Sequence, residues 1–235
     1  MGDSLIGLCG KDFVIVAADS AHARSILVVK ESGEDKILNF DEHKLLASCA
    51  KRVMSLFLVS LRMRRDTHKD EKKKKFLFLA SRCCSLAGGD NGDRNMFTQF
   101  VHKNATLYAL RNNVRLSTPA LANWTRRELA DALRKNPYQT NLLLAGYDEK
   151  HGPSLYFIDY LASLQKLPFA CHGYAGNFLL GLLDREYKAD MTVDEAHALL
   201  LKCIEQLQTR MVLSQNKFTI KVVDATGIRV LNDGN

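Results

Sequence analysis

Residues 4–20 read SLIGLCGKDFVIVAADS and decide the fold, because two apolar runs stand on either side of a short turn. The first run covers residues 4–9, and the second covers residues 13–18 and is rich in the β-branched residues that favour strands. Residues 10–12 between them contain a glycine and are short enough for a tight connection. Two such runs joined by a glycine-containing turn predict an antiparallel β-hairpin.

Three further strands are predicted before residue 50, at 26–29, 37–40 and 44–48. The strands of this region are mostly apolar on both faces rather than on alternate residues. That pattern is typical of a sheet that is covered on both sides.

The rest of the chain alternates between pairs of helices and groups of strands. Helical spacing and capping residues predict helices at 90–112, from 117 to before Pro137, at about 174–187 and at about 192–211. Thr192 and Glu195 form a capping-box pattern at the start of the last helix. Strands are predicted at 141–145, 154–158, 169–171, 218–223 and 228–231. This order predicts an α+β protein, a four-layer αββα sandwich in which two sheets lie between two helical layers.

The net charge of +7 comes from one segment of the chain. Residues 51–86 contain eleven Lys or Arg and three acidic residues, a net +8, so the remainder sums to −1. The segment has few aromatic residues between its charges and matches no binding motif, which disfavours nucleic-acid recognition.

The six cysteines show no spacing typical of a metal site, and Cys83 and Cys84 are adjacent rather than in a C-x-x-C motif. We expect free thiols in a reducing compartment. The start of the chain does not resemble a secretion signal, and the run at 53–61 is too short to cross a bilayer.

Several stretches resemble the beta subunits of the 20S proteasome, and the resemblance covers residues 3–49 and 87–232. They are residues 5–7 with 13–20, residues 141–148, residues 152–159, residues 169–174, residues 183–185 and the closing strands. Residues 123–131 and 172–174 point to the fourth position of the beta ring. The resemblance implies the N-terminal nucleophile hydrolase fold. Active members expose an N-terminal threonine whose hydroxyl attacks the peptide carbonyl, with its own α-amino group as base.

Carried onto this sequence, the family's nucleophile position falls on Asp3, which cannot perform that acyl chemistry. Ser4 is the nearest hydroxyl. The strand aspartate of the family is present as Asp19. The strand lysine matches Lys36 if one residue is inserted before it.

Two supporting positions of the family site are replaced and a third is kept. The serine of its Gly-Ser-Gly element falls on Tyr174, and the aspartate of its Arg-Asp-x-x-Ser element falls on Met211, so that only Ser214 remains. We therefore expect no catalytic, cofactor-binding or metal-binding residue, and no cofactor.

The surviving residues also have structural interpretations. Asp19 and Lys36 would form a retained ion pair or be solvated loop charges. Ser214 would be a hydrogen-bonding residue at a helix end, His172 a hydrogen-bonded turn histidine and Tyr174 a packing residue. Five further histidines are scattered singly and are predicted to lie at the surface: His22, His43, His102, His151 and His197.

The favoured function is that of a non-catalytic structural component of the beta ring, within a barrel of four seven-membered rings of alpha and beta subunits. It would support ATP- and ubiquitin-dependent protein degradation in the cytoplasm and nucleus, without nucleic acid or membrane partners. One alternative is a hydrolase that uses Ser4 as a hidden nucleophile, and another is nucleic-acid binding through residues 51–86. An alpha-type subunit is disfavoured, because that branch has an additional N-terminal helix.

Residues 1–235 are interpreted as one beta-type domain interrupted by an atypical basic insertion at 51–86. The insertion contains the run Lys72–Lys75 and two short apolar pieces, without turn residues that would fold them. One interpretation is a disordered loop with a basic contact surface. The favoured one is a translated intron or gene-model error, because 36 whole codons preserve the reading frame and both flanks resemble the family.

Overall fold

The computed structural model describes residues 3–20, 22–24, 27–30, 35–50, 90–211, 215 and 217–231. Its strands are β1 (Ser4–Cys9), β2 (Phe13–Asp19), β3 (His22–Arg24), β4 (Leu27–Lys30), β5 (Ile37–Asp41), β6 (Lys44–Ala50), β7 (Thr140–Asp148), β8 (Gly152–Ile158), β9 (Leu164–Lys166), β10 (Phe169–Gly173), β11 (Phe218–Asp224) and β12 (Gly227–Leu231). Its helices are α1 (Asp90–Asn112), α2 (Thr118–Leu133), α3 (Tyr174–Glu186) and α4 (Val193–Arg210).

The strands form two antiparallel five-stranded sheets and one small hairpin. The first sheet has the order β10-β1-β2-β11-β12, and the second has the order β5-β6-β7-β8-β9. The predicted hairpin is confirmed, since β1 and β2 pair with Leu5 opposite Ala18 and Cys9 opposite Val14. Strands β3 and β4 pair only with each other in the part of the chain that the structure describes.

Three apolar clusters separate four layers. Helices α3 and α4 pack on the outer face of the first sheet, and helices α1 and α2 pack on the outer face of the second. The third cluster fills the space between the sheets. Along β2, Ile15 and Ala17 face the helices whereas Val14 and Val16 face the other sheet, which explains why the strand is apolar throughout. The αββα sandwich is therefore confirmed.

The helix starts follow the predicted caps. The hydroxyl of Thr192 accepts a hydrogen bond from the amide of Glu195, whose carboxylate accepts one from the amide of Thr192, so the capping box is complete. Ser117 caps α2 by accepting a hydrogen bond from the amide of Ala120. These contacts satisfy amides that the first turn of a helix leaves without partners.

The structure differs from the prediction at short elements. Strands β3 and β9 have three residues each, too few for an alternating pattern to be recognised in sequence. Helix α2 ends at Leu133, and the amides of Lys135 and Asn136 both bond to the carbonyl of Ala132 in a closing turn. The atypical segment 51–86 lies outside the described residues. None of the helices in the described ranges is long and apolar enough to span a membrane.

Candidate functional site

Four charged side chains meet where β1 begins, and all of them are buried. Asp3 precedes β1, Asp19 ends β2, Lys36 precedes β5 and Arg94 lies in the first turns of α1. The hairpin brings the two aspartates together because Leu5 lies opposite Ala18, so the residue before β1 lies near the residue that ends β2. We call these four residues the charged cluster.

The ammonium of Lys36 holds the charged cluster together. Its Nζ donates to Asp3 Oδ1 at 2.8 Å and to Asp19 Oδ1 at 2.9 Å. The guanidinium of Arg94 lies 3.8 Å from Asp3 Oδ2. The four formal charges sum to zero, which is the condition under which buried charges are tolerated. Of the two interpretations of Asp19 and Lys36, the structure supports the ion pair and not solvated loop charges.

Asp19 is the carboxyl whose ionisation the site perturbs most clearly. Burial raises its pKa to about 6, and the negative charge of Asp3 acts in the same direction. The ammonium of Lys36 and the hydrogen bond from the amide of Ser4 oppose that rise. Burial is the dominant cause, so this carboxyl sits in an environment that disfavours its charge despite a direct ion pair.

Asp3, the residue onto which the resemblance carries the family nucleophile, has a carboxylate and no hydroxyl. A carboxylate lacks the hydroxyl proton that an N-terminal amine removes in threonine-type acyl transfer. Both of its oxygens also face cations, which lowers their nucleophilicity. Three surface pockets of about 300–470 Å³ lie beside α1 and around the turn between β5 and β6, and neither Asp3 nor Lys36 lines any of them.

Ser4 is placed poorly for the alternative role of hidden nucleophile. Its backbone amide donates to Asp19 Oδ1 at 3.0 Å, so the nitrogen that would serve as base is used as a hydrogen-bond donor. Its side chain is fully buried, and its Oγ makes no hydrogen bond within the described residues. The side chain of Leu5 points into the space between the two sheets. Successive side chains of a strand point to opposite faces, so the Ser4 hydroxyl lies on the other face of β1.

Gly173 permits the close approach of β10 to the charged cluster. It lies opposite Ser4 and has a φ of 75°, a left-handed conformation that costs glycine little. A Cβ at this position would lie 1.9 Å from the carbonyl oxygen of Asp3. The backbone beside Asp3 therefore requires glycine here.

The structure describes two of the three other positions carried over from the family. Tyr174 is the half-buried first residue of α3. Met211 caps the end of α4 and packs against the helix side of the first sheet, as an apolar residue would. Ser214 lies outside the described residues.

His172 is a buried strand residue and not the turn residue that the sequence suggested. It lies in β10, its Nε2 donates to the carbonyl of Leu142 at 3.0 Å, and its ring stacks on Phe157 with centroids 4.0 Å apart. Burial lowers its pKa to about 4, although the hydrogen bond to Leu142 opposes that shift. The expectation that this histidine is hydrogen-bonded is confirmed, and at neutral pH it is uncharged.

The scattered histidines are less exposed than predicted. His151 is exposed, whereas His43, His102 and His197 are half-buried, and nothing is described of the His22 side chain. The ring of His43 hydrogen-bonds to the carbonyl of Asp224, and the ring of His102 packs edge-on against Phe40. Each of these two contacts joins separate elements of the fold.

The four cysteines in the described ranges are free thiols, as expected: Cys9, Cys49, Cys171 and Cys203. Burial raises the pKa of the last three to about 12, so they remain protonated and unreactive. Cys83 and Cys84 lie outside those ranges. Within the same ranges, no group of three or more His, Cys, Asp or Glu side chains is arranged to hold a metal ion.

Sequence reasoning missed Arg94 because a single arginine near a helix start gives no sign that it will be buried. Lys221 was also missed, although it carried a signal. It stands alone between Ile220 and Val222 in a strand that is otherwise apolar in its centre, and it is buried. A lone lysine in a buried strand indicates a specific partner.

Comparisons with known proteins agree with the geometry. A family model described as proteasome subunit matches residues 57–223, and so begins inside the basic segment. The chain is 42% identical to proteasome subunit beta type-2 of Oryza sativa subsp. japonica over 227 residues, which is 97% of this chain and 88% of that protein. It is 41% identical to proteasome subunit beta type-2 of Dictyostelium discoideum, over 97% of this chain and 96% of the other.

A relative with lower identity is named beta type-4 and not beta type-2. Proteasome subunit beta type-4 of Saccharomyces cerevisiae is 32% identical over 98% of both chains. The resemblance to proteasome beta subunits seen in residues 3–49 and 87–232 is thereby confirmed, and the two more similar of these relatives are both named beta type-2. The chain belongs to the proteasome subunit family, as a beta subunit and a component of the 20S core.

Proposed function

We propose that this chain is a non-catalytic beta subunit, a structural part of the ring wall that occupies the fourth position of the beta ring. Beta subunits of the family assemble with alpha subunits and with other beta subunits in the 20S barrel. In that place the chain supports ATP- and ubiquitin-dependent degradation by completing the chamber, and we propose that it does so in the cytoplasm and nucleus.

The observation that carries the proposal is the state of Asp3. The position that needs a free hydroxyl and a free amine holds a carboxylate, which is paired to Lys36 and faces Arg94. The charges of Asp19 and Lys36, which in active members assist the threonine, here belong to an ion-paired cluster with Asp3. What remains of the site is a structural joint between β1, β2, β5 and α1.

The direct test is to substitute Asp3→Asn, which keeps the size of the side chain and removes its charge. Particles purified with this variant are expected to keep every peptidase activity, measured per assembled particle with fluorogenic peptides. A parallel Thr→Ala variant at the nucleophile of an active subunit is the matched control. Loss of one peptidase activity in the Asp3→Asn particles would contradict the proposal.

Assembly into a ring is supported by an apolar stripe of exposed side chains on α1. The helix buries Phe97 and Val101 on one face. A second set of apolar residues repeats on the outside at helical spacing: Met96, Phe100, Leu107 and Leu110. Leu110 is 73% exposed and Met96 66%, and interfaces of obligate complexes are large and apolar.

The stripe gives a test of the ring assignment. Leu110→Glu is expected to exclude the chain from particles in a competition with the parent chain, measured by mass spectrometry of purified particles. Leu161→Glu changes a single exposed leucine outside the stripe and serves as control. The chain produced alone is expected to aggregate or to be a weakly stable monomer, whereas a highly stable monomer would count against the assignment.

We propose in addition that residues 51–86 are not part of the working fold and arise from a translated intron or gene-model error. Both flanks are held without them, because β6 pairs with β7 through Ala50 and the hydroxyl of Thr98 in α1 bonds to Ser48 Oγ at 3.3 Å. Peptide sequencing of the particle is expected to find Cys49 joined closely to residues 87–90. Abundant peptides from within 51–86 would refute the proposal.

A further inference from the structure

Lys221 is a buried lysine whose side chain crosses from the first sheet to the second. It lies on β11 opposite Val16 and is 4% exposed. Its Nζ donates to the carbonyl of Ile37 at 2.6 Å, to Asn39 Oδ1 at 2.9 Å and to Asp35 Oδ2 at 2.5 Å. An ammonium has three protons to donate, so these three acceptors match its capacity.

Two of the three acceptors are the residues on either side of Lys36. Asp35 precedes it and Ile37 follows it, and the amide of Ile37 donates to Asp35 Oδ1 at 3.0 Å. The carboxylate of Asp35 therefore bridges the ammonium of Lys221 and the backbone of β5. The hydrogen bonds among Lys221, Asp35 and Ile37 therefore hold the backbone immediately before and after Lys36.

On the other side, the backbone at Lys36 is held by a neighbouring strand. The carbonyl of Lys36 accepts a hydrogen bond from the amide of Ser48 in β6 at 3.2 Å. Strand β5 is the edge strand of its sheet and pairs with β6 alone among the described strands. On the edge of β5 that has no strand partner among the described strands, the hydrogen bonds from Lys221 of the first sheet hold the start of the strand.

We propose that Lys221 is a positioning residue for Lys36. It fixes the backbone before and after Lys36 and thereby directs that ammonium to Asp3 and Asp19, the two anions of the charged cluster. The same side chain ties the two sheets together. This role goes beyond the proposed wall function and does not depend on whether the chain cleaves peptides.

The test measures how well the Lys36 amine is protected from acylation in assembled particles that contain the full chain. A small amine-acylating ester is applied, and modification of Lys36 and Lys44 is quantified by mass spectrometry. Lys44 is a buried lysine of β6 that pairs with Asp41 and Asp148, and it reports general loosening. In Lys221→Met, acylation of Lys36 relative to Lys44 is expected to rise about tenfold, because charged hydrogen bonds that limit local opening are lost.

Two further variants separate positioning from general stability. Ile220→Ala removes a buried side chain from the same strand on its helix-facing side and is expected to leave the ratio unchanged. Lys221→Arg keeps the charge and donors and is expected to restore most of the protection. An equal rise of the ratio in Ile220→Ala would overturn the proposal, as would an unchanged ratio in Lys221→Met.

A second route decides the question if the Lys221→Met chain does not enter particles. Asp35→Ala removes one acceptor through a side chain that is about half exposed, so the fold tolerates it more easily. The ratio is then expected to rise about threefold, because the other two acceptors remain. A ratio equal to that of the parent chain would overturn the proposal.

Discussion

The charged cluster and His172 lie beside the same end of β1, and they differ in whether the groups in direct contact carry opposite charge. Lys36 donates directly to two aspartates, whereas His172 lies opposite Leu5, donates to the carbonyl of Leu142 and stacks on Phe157. The charge of Asp159 also favours the protonated form of His172, but burial has the larger effect. The pKa of His172 falls to about 4, so burial leaves it neutral. Buried charge is kept where opposite charges converge and is lost where they do not.

The largest effect is expected from breaking the charged cluster at its centre. Lys36→Met leaves Asp3 and Asp19 buried without their shared cation and is expected to cost about 3–5 kcal/mol in the free energy of local opening. The measurement is hydrogen exchange of the β1 and β2 amides within the particle.

A double variant is the control for that effect. Lys36→Met combined with Asp19→Asn removes one cation and one anion and leaves Asp3 facing Arg94, so it is expected to recover most of the loss. If the double variant were as unstable as Lys36→Met alone, the cost would arise from packing and the comparison with His172 would fail.

An effect of intermediate size is expected from His172 in acid. Its pKa in the folded chain is about 4 against 6.5 in the reference state, so the unfolded state binds the proton first. Its contribution to stability is complete above pH 6.5 and is lost as the pH falls towards 4, by at most about 3 kcal/mol. His172→Gln, which keeps a donor for Leu142, is expected to abolish this acid sensitivity in hydrogen exchange of β10.

The smallest effect is expected from Asp19, with the opposite sign. Its pKa of about 6 lies above the reference value of 3.8, so the folded state binds the proton first. Its contribution is complete below pH 3.8 and is lost as the pH rises through about 6. The stability of the Asp19→Asn variant relative to the parent chain is therefore expected to increase between pH 4 and pH 6.5. The measurement is hydrogen exchange of the β2 amides in both chains over that range. A decrease over that range would show that Lys36 outweighs burial.

The fold could be predicted from sequence because its strands lie between two apolar layers and carry apolar residues on both faces. The hairpin at residues 4–20 shows this directly. The partnership of Asp19 with Lys36 was foreseen only as one of two interpretations, since spacing along a chain does not determine burial. Arg94 and Lys221 could not be placed, because their partners lie on elements far away in sequence.

The proposal that this chain has no catalytic nucleophile is tested most directly by covalent labelling of the intact particle. Purified particles are treated with an epoxyketone, which reacts with an N-terminal threonine through its hydroxyl and its amine. They are then digested and searched for adducts by mass spectrometry. We expect adducts on the active subunits, which serve as the internal control, and none on this chain. An adduct on any of its residues, Ser4 above all, would contradict a structural role without catalysis.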